Sequence, residues 1–403
     1  MNRRLKVCLV TNDPRQQGGS GGLFRTLFEI LRTRPDLDLE VLAFAPIGGP
    51  LDIEPWSYAL GREPGREEGE YQGAPALYSG GVRRVESWYF RSARGHWLPR
   101  ARAADAVIAV SGCGIMAWPL TGAGLRYVVF SATSMDDEKK HTQSGGFRWA
   151  LYQANRPWLR AMERQVYREA ALVHTLAPAM NAIISAENDV PLSRFRVFPV
   201  PVDTGRYTAD PAAVRPGTIA WMARQSDPRK NTALLVEAMA RIAPRWPEAR
   251  LVLLGGPLPA GLWDRARALR VADRIEAPGW VDEQKKIELL RQTDIFAIPS
   301  DQEGLCIAGL EAMACGAPVV STRCIGPEVF VQDGVNGFLI ARGDAAALAD
   351  RLERLLADRP LRDRMGRAAR QTVADRFSPA AAAAVVWRAL AEAWPEKFGA
   401  GAA

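Results

Sequence analysis

Short apolar runs alternate with amphipathic stretches along the whole chain, and this alternation predicts parallel strands separated by helices. In the first half, the predicted strands are LKVCLV, LEVLAFA, AVIAVSG, LRYVVFS and ALVHTL. In the second half, they are TIAWMA, ARLVLLG, RIEAPGW, DIFAIPS, APVVST and NGFLI. Three helices are predicted beyond residue 344, over residues 345–356, 361–377 and 380–394. The predicted fold class is α/β, with two Rossmann-like doubly wound domains.

The boundary between these domains is predicted in the segment VFPVPVDTGRY, where prolines end one series of elements before the strand at Thr218 begins the next. The first domain is predicted over residues 1–202 and the second over residues 203–379. A chain of 403 residues with 48% hydrophobic positions can bury two cores of ordinary size. We expect the two domains to face each other across a cleft, where ligands usually bind.

The cysteines and the apolar runs indicate the cellular compartment of the protein. No two of the five cysteines form a Cys-x-x-Cys pair, and all lie in or beside apolar runs. We therefore expect reduced thiols in a cytoplasmic protein, without a metal site. The N-terminal apolar run covers six residues and lacks a cleavage-site pattern, so it is predicted to be a strand. The run over residues 104–125 contains Asp105, Pro119 and four glycines, which disfavours a membrane span.

The formal net charge of +7 is concentrated in the first half. Residues 83 to 102 contain six arginines, from Arg83 to Arg102, against one glutamate. Trp88 and Trp97, which are flanked by these arginines, are the candidate tryptophans for contact with a membrane or the acceptor. Within residues 139–168, arginines recur every four positions from Arg156 to Arg168 on a predicted helix that starts near Pro157. Two interpretations stay open, an ordinary solvated face or a surface that docks on an anionic membrane. No nucleic-acid-binding module is visible, so a nucleic-acid partner is not expected.

Ligands of open parallel sheets lie at the carboxyl ends of strands, and three loops there contain unusual residues. The first loop is TNDPRQQGGSGG, directly after the strand LKVCLV. Its glycines allow a ligand to approach the backbone, and the helix predicted from Leu23 to Leu31 offers its N-terminus to an anion. The spacing lacks the Gly-x-Gly-x-x-Gly fingerprint, so a flexible surface loop is an equal alternative.

The second loop, ARQSDPRKN, follows the strand TIAWMA. It brings Arg224, Arg229 and Lys230 to the end of the sheet, next to Asn231, which is predicted to cap the helix from Thr232. Cations in front of a helix start suit a pyrophosphate, because each cation attracts the negative charges of the phosphate groups. A solvated basic turn is the alternative.

The third loop leads into EGLCIAGLEAMACG, which places Glu303 and Glu311 eight positions apart. A helix is predicted from about Leu305 to Cys315, with Ile307, Leu310 and Ala314 on its inward face. Eight residues of helical rise separate two groups by about 12 Å. That exceeds the roughly 5 to 9.5 Å between the two acids of a glycosidase. The spacing better suits two acids at opposite ends of one long ligand. A nucleotide sugar fits, with Glu303 on the sugar and Glu311 on the ribose.

Several segments together resemble one enzyme family. EGLCIAGLEAMACGAPVVST with the following EVFVQDGVNGFLI is similar to the signature of the GT-B retaining glycosyltransferases of family 4, also called group 1. ARQSDPRKN resembles the family's Arg and Lys diphosphate loop, and GGSGG resembles its first glycine-rich loop. LVLLGG and APGWV resemble the segments that line the base pocket. The resemblance implies sugar transfer from a nucleoside diphosphate donor, with retention of configuration and without a cofactor or required metal. It also implies a donor site in the second domain, an acceptor site in the first, and a final helix, residues 380–403, that crosses back to the first domain.

Carried over by position, the resemblance assigns roles to individual residues. Arg224, Lys230 and Glu303 are the predicted catalytic residues. The predicted donor-binding residues are Gly19, Gly21, Gly22, Arg224, Lys230, Gly255, Trp280, Val281, Glu303, Gly304, Leu305, Cys306, Ile307 and Glu311. The predicted acceptor residues are Ser131 and Thr133 at the corresponding family position, together with Asp136 and Asp137, which follow the strand LRYVVFS at its ligand-binding end. Many family members have a histidine where this chain has Ser131 or Thr133; His141 is a candidate substitute, the alternative being an ordinary exposed loop histidine. The family's frequent Asn-Gly is replaced here by Val200 and Pro201.

The leading hypothesis is a retaining glycosyltransferase that moves a hexose-type sugar from a UDP or GDP donor to an acceptor hydroxyl in cell-surface glycan or glycolipid synthesis. The acceptor is expected to be a glycan, a lipid-linked group or a small molecule, and a soluble natural product stays an alternative. A non-catalytic nucleotide-sugar binder is a second hypothesis, motivated by the missing histidine. An epimerase or phosphorylase of the same fold is disfavoured by the two spaced glutamates. A cytoplasmic location is expected, with peripheral attachment to the inner face of the membrane if the basic segments dock there.

Overall fold

The computed structural model describes residues 3–15, 19–136 and 146–399. The chain divides into two compact units, one formed by Met1–Val200 with Ala383–Ala403 and the other by Pro201–Ala382. Each unit contains one sheet and its own helices. The division after Val200 lies two residues before the predicted boundary.

The first unit is built on an eight-stranded sheet with the strand order β3-β4-β2-β1-β5-β6-β7-β8. The strands are β1 (Leu5–Thr11), β2 (Leu37–Phe44), β3 (Arg66–Tyr71), β4 (Ala74–Ser79), β5 (Ala106–Ser111), β6 (Val128–Ser131), β7 (Leu172–Thr175) and β8 (Phe195–Val197). All pairings are parallel except β3 with β4. The five predicted strands are present as β1, β2, β5, β6 and β7, whereas β3, β4 and β8 were not predicted. The edge strand β3 was not predicted because its sequence REEGEY is exposed at every position except the last and has no apolar run.

The second unit is built on a six-stranded, fully parallel sheet with the order β11-β10-β9-β12-β13-β14. Its strands are β9 (Thr218–Met222), β10 (Arg250–Leu254), β11 (Ile275–Gly279), β12 (Ile295–Ile298), β13 (Val319–Thr322) and β14 (Gly337–Ile340). All six were predicted from short, largely apolar runs in the sequence. The strand order reverses between β9 and β12, and this reversal is the switch point at which doubly wound sheets bind ligands.

Helices join the strands of both sheets. In the first unit they are Gly19–Arg32, Pro55–Ala59, Glu86–Ser92, Arg94–Arg102, Gly146–Glu169 and Pro178–Asn188. In the second unit they are Thr232–Ile242, Ala260–Ala268, Glu283–Arg291, Ile307–Ala314, Ala345–Ala357 and Arg359–Arg376. The chain then continues through Pro379–Ala393 and Pro395–Phe398. No helix within the described residues combines the length and the apolar character needed to cross a bilayer.

The C-terminal segment belongs to the first unit and is held there by polar contacts. Arg126 Nη1 donates to the carbonyl of Ala393 at 2.7 Å, and Arg196 pairs with Glu392 at 2.8 Å. Lys397 pairs with Asp105 at 2.9 Å. These contacts join residues more than 190 positions apart in the chain and attach the final helices to the sheet of this unit.

Two predictions for the first unit are wrong. The helix predicted to start near Pro157 begins at Gly146 and contains the proline in its interior. Proline removes one helical hydrogen bond, and buried side chains on this helix, such as Leu159 and Val166, hold the turn in place despite that loss. Trp97, predicted to contact a membrane or acceptor, is fully buried, and its indole Nε1 donates to Ser79 Oγ at 3.0 Å.

The core of the first unit contains a histidine with an unusual environment, and this environment predicts a pH effect on stability. His174 in β7 is 2% exposed and stacks on Phe130 with ring centroids 4.4 Å apart. Its Nδ1 has no hydrogen-bond partner among the residues that the structure describes. Burial, with a smaller contribution from Arg196, lowers the pKa of His174 from 6.5 to about 3, because an imidazolium there would lose its hydration.

We expect this histidine to make the protein less stable in mild acid. Below pH 6.5 the unfolded chain binds a proton at His174 and the folded chain does not, so stability present above pH 6.5 is lost as the pH falls towards 3. One unit below pH 6.5 the loss amounts to about 1.4 kcal/mol. Urea unfolding at pH 7.5 and 5.5 measures it, and His174→Leu should show a pH dependence weaker by that amount. Equal pH dependence in both proteins would contradict the assignment.

Candidate functional site

The switch point of the second sheet brings together the two loops whose side chains were predicted to act in catalysis. One loop, residues 223–231, follows β9, and the other, residues 299–306, follows β12. The backbone N–H of Asp301 donates to the carbonyl of Arg229 at 2.8 Å, and Asn231 Nδ2 donates to Asp301 Oδ1 at 3.1 Å. The predicted residues of both loops therefore lie in one place, although about 70 residues separate them in the chain.

Lys230 and Glu303 form the central contact of this site. Lys230 Nζ lies 2.8 Å from both carboxylate oxygens of Glu303, and Ser300 Oγ donates to Glu303 Oε1 at 2.7 Å. The Glu303 side chain is 7% exposed. An ammonium group has three N–H donors, so Lys230 retains one for a ligand while it holds the carboxylate in place.

The other two cations of the loop over residues 223–231 differ in whether they already form an ion pair. Arg229 pairs with Asp227 at 2.6 Å, and this hydrogen bond is the main reason that the pKa of Asp227 is lowered. The side chain of Arg224 is exposed and has no ion-pair or hydrogen-bond partner within the described ranges. Arg224 is therefore the guanidinium of this loop that an anionic ligand can recruit without breaking an existing pair.

Asn231 precedes the helix Thr232–Ile242 but does not cap it as predicted. Its backbone is left-handed, with φ at 43°, and its side chain makes no capping hydrogen bond. The side chain instead reaches the Asp301 carboxylate, because an amide N–H forms a stronger hydrogen bond with a charged acceptor. Asp227 instead caps the short 3-10 helix Pro228–Lys230 that precedes it, and its carboxylate accepts from the backbone N–H of Arg229.

The helix after Glu303 begins later than predicted, and this changes the geometry of the two glutamates. It covers Ile307–Ala314 and follows Cys306, whose backbone is left-handed with φ at 69°. Ile307, predicted to face inward, is 42% exposed, since the turn at Cys306 rotates it away from the core. The predicted separation of 12 Å is therefore wrong in its basis, because residues 303–306 do not rise as a helix.

The start of this helix presents backbone N–H groups that can donate hydrogen bonds to an anion. Among the described residues, the backbone N–H groups of residues 304 to 307 donate no hydrogen bond to a backbone carbonyl. Gly304 is exposed, whereas Leu305 is buried. Unpaired N–H groups at a helix N-terminus attract phosphate through their partial positive charge. This segment lies next to Glu303, whose carbonyl accepts from Gly326 at 3.0 Å.

Glu311 belongs to a separate hydrogen-bond network in the same unit. Tyr207 Oη and Lys286 Nζ each donate to Glu311 Oε1 at 2.9 Å. Burial raises the pKa of Glu311, while Lys286 and Tyr207 act in the opposite direction by favouring the charged form. Glu303 and Glu311 share no hydrogen-bond partner among the described residues, which is consistent with two acids that bind different parts of one ligand.

The residues predicted to line a base pocket follow β10 and β11. Gly255 has φ at 92°, and a Cβ atom there would lie 2.4 Å from the carbonyl oxygen of Ala223. A Cβ atom at Gly256 would lie 3.3 Å from the indole of Trp280, whose side chain is 72% exposed. The two glycines thus let the end of β10 approach both the loop after β9 and this tryptophan, next to the half-buried Val281.

The predicted glycines of the first unit lie in a helix. Gly19, Gly21 and Gly22 belong to the first turn of Gly19–Arg32, which begins four residues before the predicted start at Leu23. Gly18 lies outside the described residues. The helix follows β1, whose neighbour β5 marks the switch point of the first sheet. The glycines therefore lie at the ligand-binding edge of that sheet.

The predicted acceptor residues are engaged in internal contacts. Ser131 is fully buried, and its Oγ lies 3.1 Å from Tyr167 Oη and donates to the carbonyl of Thr133 at 2.9 Å. Asp136 is 6% exposed and pairs with Arg156 at 2.7 Å. Asp137 and the candidate substitute His141 lie outside the described residues.

The basic helix face predicted to dock on a membrane is partly neutralised. Arg156 and Arg160 both pair with Asp136, and Arg168 pairs with Asp189 at 2.6 Å. In the other basic segment, Arg83 pairs with Glu54 at 3.2 Å. Periodicity alone could not reveal these pairs, because the carboxylates come from other parts of the chain. Docking on an anionic membrane stays a prediction.

Sequence reasoning missed three polar residues near Glu311, namely Tyr207, Glu283 and Lys286. Tyr207 lies in the segment that was interpreted as a domain boundary, 104 positions before Glu311. No spacing rule relates these positions, so the fold had to bring them together. The one available signal was the polar helix start EQKK after the predicted base-pocket segment.

Comparisons with known proteins agree with this architecture. The chain is similar over 96% of its length to the whole solved chain of Anabaena Alr3699/HepE in complex with UDP, with a TM-score of 0.72 and 18% identity. It is similar over 95% of its length to 99% of the chain of WaaG, a glycosyltransferase involved in lipopolysaccharide biosynthesis, with a TM-score of 0.65 and 18% identity. Two doubly wound units with these neighbours define a fold of the GT-B class.

Family models identify the group. Residues 211–372 match the model described as glycosyl transferases group 1, and residues 18–201 match the glycosyl transferase 4-like domain. The chain belongs to the group 1, family 4-like glycosyltransferases of GT-B fold.

Curated relatives match part of the chain. A segment of 151 residues is 38% identical to the lipopolysaccharide core biosynthesis glycosyltransferase LpsE of Rhizobium meliloti, over 37% of this chain and 43% of the relative. A segment of 221 residues is 32% identical to a D-inositol 3-phosphate glycosyltransferase of Mycobacterium sp. (strain JLS), over 51% of this chain and 49% of the relative. The chain thus spans less than half the length of these curated relatives.

Proposed function

We propose that this protein is a metal-independent, retaining glycosyltransferase that moves a hexose-type sugar from a nucleoside diphosphate sugar to an acceptor hydroxyl. The observation that carries the proposal is the Lys230–Glu303 pair at the switch point of the second sheet, beside backbone N–H groups that have no backbone acceptor within the described part of the chain. A buried ion pair whose lysine keeps one free donor, next to a helix N-terminus and an uncommitted Arg224, suits a sugar linked to a diphosphate.

The chemistry follows from charge development. The bond between the anomeric carbon and the phosphate oxygen breaks, and negative charge grows on the departing diphosphate. Lys230, Arg224 and the N–H groups of residues 304 to 307 stabilise that charge. A bond forms from the acceptor oxygen to the anomeric carbon on the same face, and the acceptor proton passes to a phosphate oxygen. Side chains and backbone dipoles that are already oriented before reaction lower the barrier most.

The relatives support a surface-glycan role. One relative acts in lipopolysaccharide core biosynthesis by name, and another is named for D-inositol 3-phosphate. A solved chain of similar fold binds UDP. We propose UDP or GDP as the donor nucleotide, and a glycan, lipid-linked or small-molecule acceptor hydroxyl.

A thermal-shift screen followed by a transfer assay tests the proposal. We expect UDP or GDP, and one of their hexose conjugates, to raise the unfolding temperature, and transfer to continue in EDTA. Stabilisation by a nucleotide sugar without either transfer or donor hydrolysis would support a non-catalytic binder. No stabilisation by any nucleoside diphosphate would refute the donor site.

Glu311→Gln is expected to weaken nucleoside diphosphate binding by roughly 10- to 100-fold, since a hydrogen bond to a charged group contributes about 1.5 to 3 kcal/mol. Gln retains the size of the side chain and leaves Tyr207 and Lys286 with an oxygen acceptor. Calorimetric titration with UDP or GDP measures the effect. Glu288→Gln, on the exposed surface of helix Glu283–Arg291, is the matched control and should bind normally. Normal affinity of the Glu311 variant would exclude its role in nucleotide binding.

A further inference from the structure

We propose that Tyr207 and Lys286 are positioning residues that orient Glu311 for the ribose hydroxyls, and so set the preference for ribonucleotides over analogues that lack these hydroxyls. This inference rests on the proposed function, because it assumes that Glu311 binds the ribose of the donor. Neither residue needs to touch the nucleotide in order to act.

The first observation is the asymmetry of the Glu311 carboxylate. Tyr207 and Lys286 both donate to Oε1, each at 2.9 Å, and Oε2 has no partner in the part of the chain that the structure describes. The Glu311 side chain is only 12% exposed. One oxygen is therefore anchored from two sides, while the other retains its lone pairs for incoming hydroxyl groups. A fixed carboxylate with one free oxygen accepts hydroxyl hydrogens without paying to order its side chain.

The second observation is that Tyr207 is itself held rigidly. Its backbone N–H donates to the carbonyl of Asp203 at 2.8 Å, and Arg370 donates to the carbonyl of Tyr207 at 3.2 Å. Arg291 donates to the carbonyl of the next residue, Thr208, at 3.2 Å. Tyr207 as a whole is 5% exposed. These hydrogen bonds restrain the backbone at Tyr207 and at the residue after it, so the Tyr207 hydroxyl has a fixed position relative to Glu311.

The third observation concerns a second carboxylate that competes for the same donors. The hydroxyl of Tyr207 also contacts Glu283, and Lys286 pairs with Glu283 at 3.0 Å. A phenol has one hydrogen, so it donates to one carboxylate at a time. Glu283 is 42% exposed and also lies 3.8 Å from Arg206, so water and this arginine can satisfy it. The buried Glu311 depends more heavily on the Tyr207 and Lys286 donors.

The experiment compares two probes, UDP and 2′,3′-dideoxyUDP, in titrations with the full chain. If the thermal screen selects GDP as the donor nucleotide, GDP and 2′,3′-dideoxyGDP replace them. We expect Tyr207→Phe to lower UDP affinity about tenfold, the loss of one hydrogen bond to a charged group, and to leave dideoxyUDP affinity unchanged. Lys286→Met should likewise reduce the ratio between the two affinities. The ratio is the decisive readout, because a merely structural role would weaken both probes alike.

Matched variants separate positioning from general damage. Lys285→Met removes a neighbouring exposed lysine that pairs with Glu288 on the same helix, and it should keep the wild-type ratio. Glu283→Gln removes the competing charge but leaves Tyr207 and Lys286 in place, so the ratio should be kept or rise. Retention of the wild-type ratio by Tyr207→Phe, or equal losses for both probes, would overturn the inference.

The outcomes also distinguish this inference from the proposed function. If Glu311→Gln abolishes discrimination between UDP and dideoxyUDP while Tyr207→Phe does not, the ribose assignment stands and the positioning role fails. If Glu311→Gln itself leaves discrimination intact, the ribose assignment in the proposed donor site fails, and the positioning role fails with it.

Discussion

Lys230→Ala is expected to lower sugar-transfer turnover by about 100- to 1,000-fold, equivalent to roughly 2.7 to 4 kcal/mol in the activation barrier. The reason is geometric. Lys230 Nζ is held 2.8 Å from both oxygens of Glu303 and keeps one donor for the diphosphate on which negative charge develops. Steady-state kinetics with the donor identified by the thermal screen measure the effect, and we expect it in kcat more than in KM.

A second effect of this substitution has to be separated from the first. Without Lys230, the buried Glu303 loses its ion-pair partner and can change position. The double variant Lys230→Ala/Glu303→Gln removes that unpaired charge. Recovery of stability without recovery of turnover would assign the loss to the missing cation. Arg245→Ala, an exposed cation paired with Glu353 in the same unit, is the control. Turnover within twofold of wild type in Lys230→Ala would disprove the catalytic assignment.

Arg362→Met is expected to destabilise the protein by about 3 to 5 kcal/mol, because it leaves a buried carboxylate without its countercharge. Arg362 Nε lies 2.7 Å from Asp294 Oδ1, and the two side chains are 10% and 4% exposed. Asp294 also accepts from the N–H of Gly217 at 2.8 Å, and Arg362 donates to the carbonyl of Leu355 at 2.8 Å. The pair joins the helix Arg359–Arg376 to the sheet, so its loss affects the second unit as a whole.

Chemical denaturation monitored by tryptophan fluorescence and circular dichroism measures this effect. Arg359→Met is the matched control, since Arg359 lies on the same helix but is 80% exposed and 3.6 Å from Asp363. We expect that control to change stability by about 0.5 kcal/mol or less. The double variant Arg362→Met/Asp294→Asn should recover part of the loss, because it removes the isolated charge. A loss below about 1 kcal/mol in Arg362→Met would contradict the account.

Apolar patterning was sufficient for the central strands of the second sheet, because these strands are covered on both faces, whereas the edge strand β11 is partly exposed. All four residues of β12, from Ile295 to Ile298, are fully buried, for example. A strand of that kind is apolar at every position and is visible in the sequence. The edge strand β3 has no such requirement and therefore escaped prediction. Helix starts were harder to predict than strands. Cys306 illustrates this, because a left-handed residue before a helix has no signal in the composition of the sequence.

The linear order of residues determined the α/β class, the strands of the second sheet and the positions of Arg224, Lys230 and Glu303 at strand ends, because strands and the loops after them are encoded locally. The folded chain decided which groups meet. It paired Lys230 with Glu303, enclosed Ser131 and Trp97, and brought Tyr207 and Lys286 to Glu311. Such contacts depend on strand order and register between separate segments of the chain, which no local pattern records; Lys230 and Glu303, for example, lie 73 positions apart.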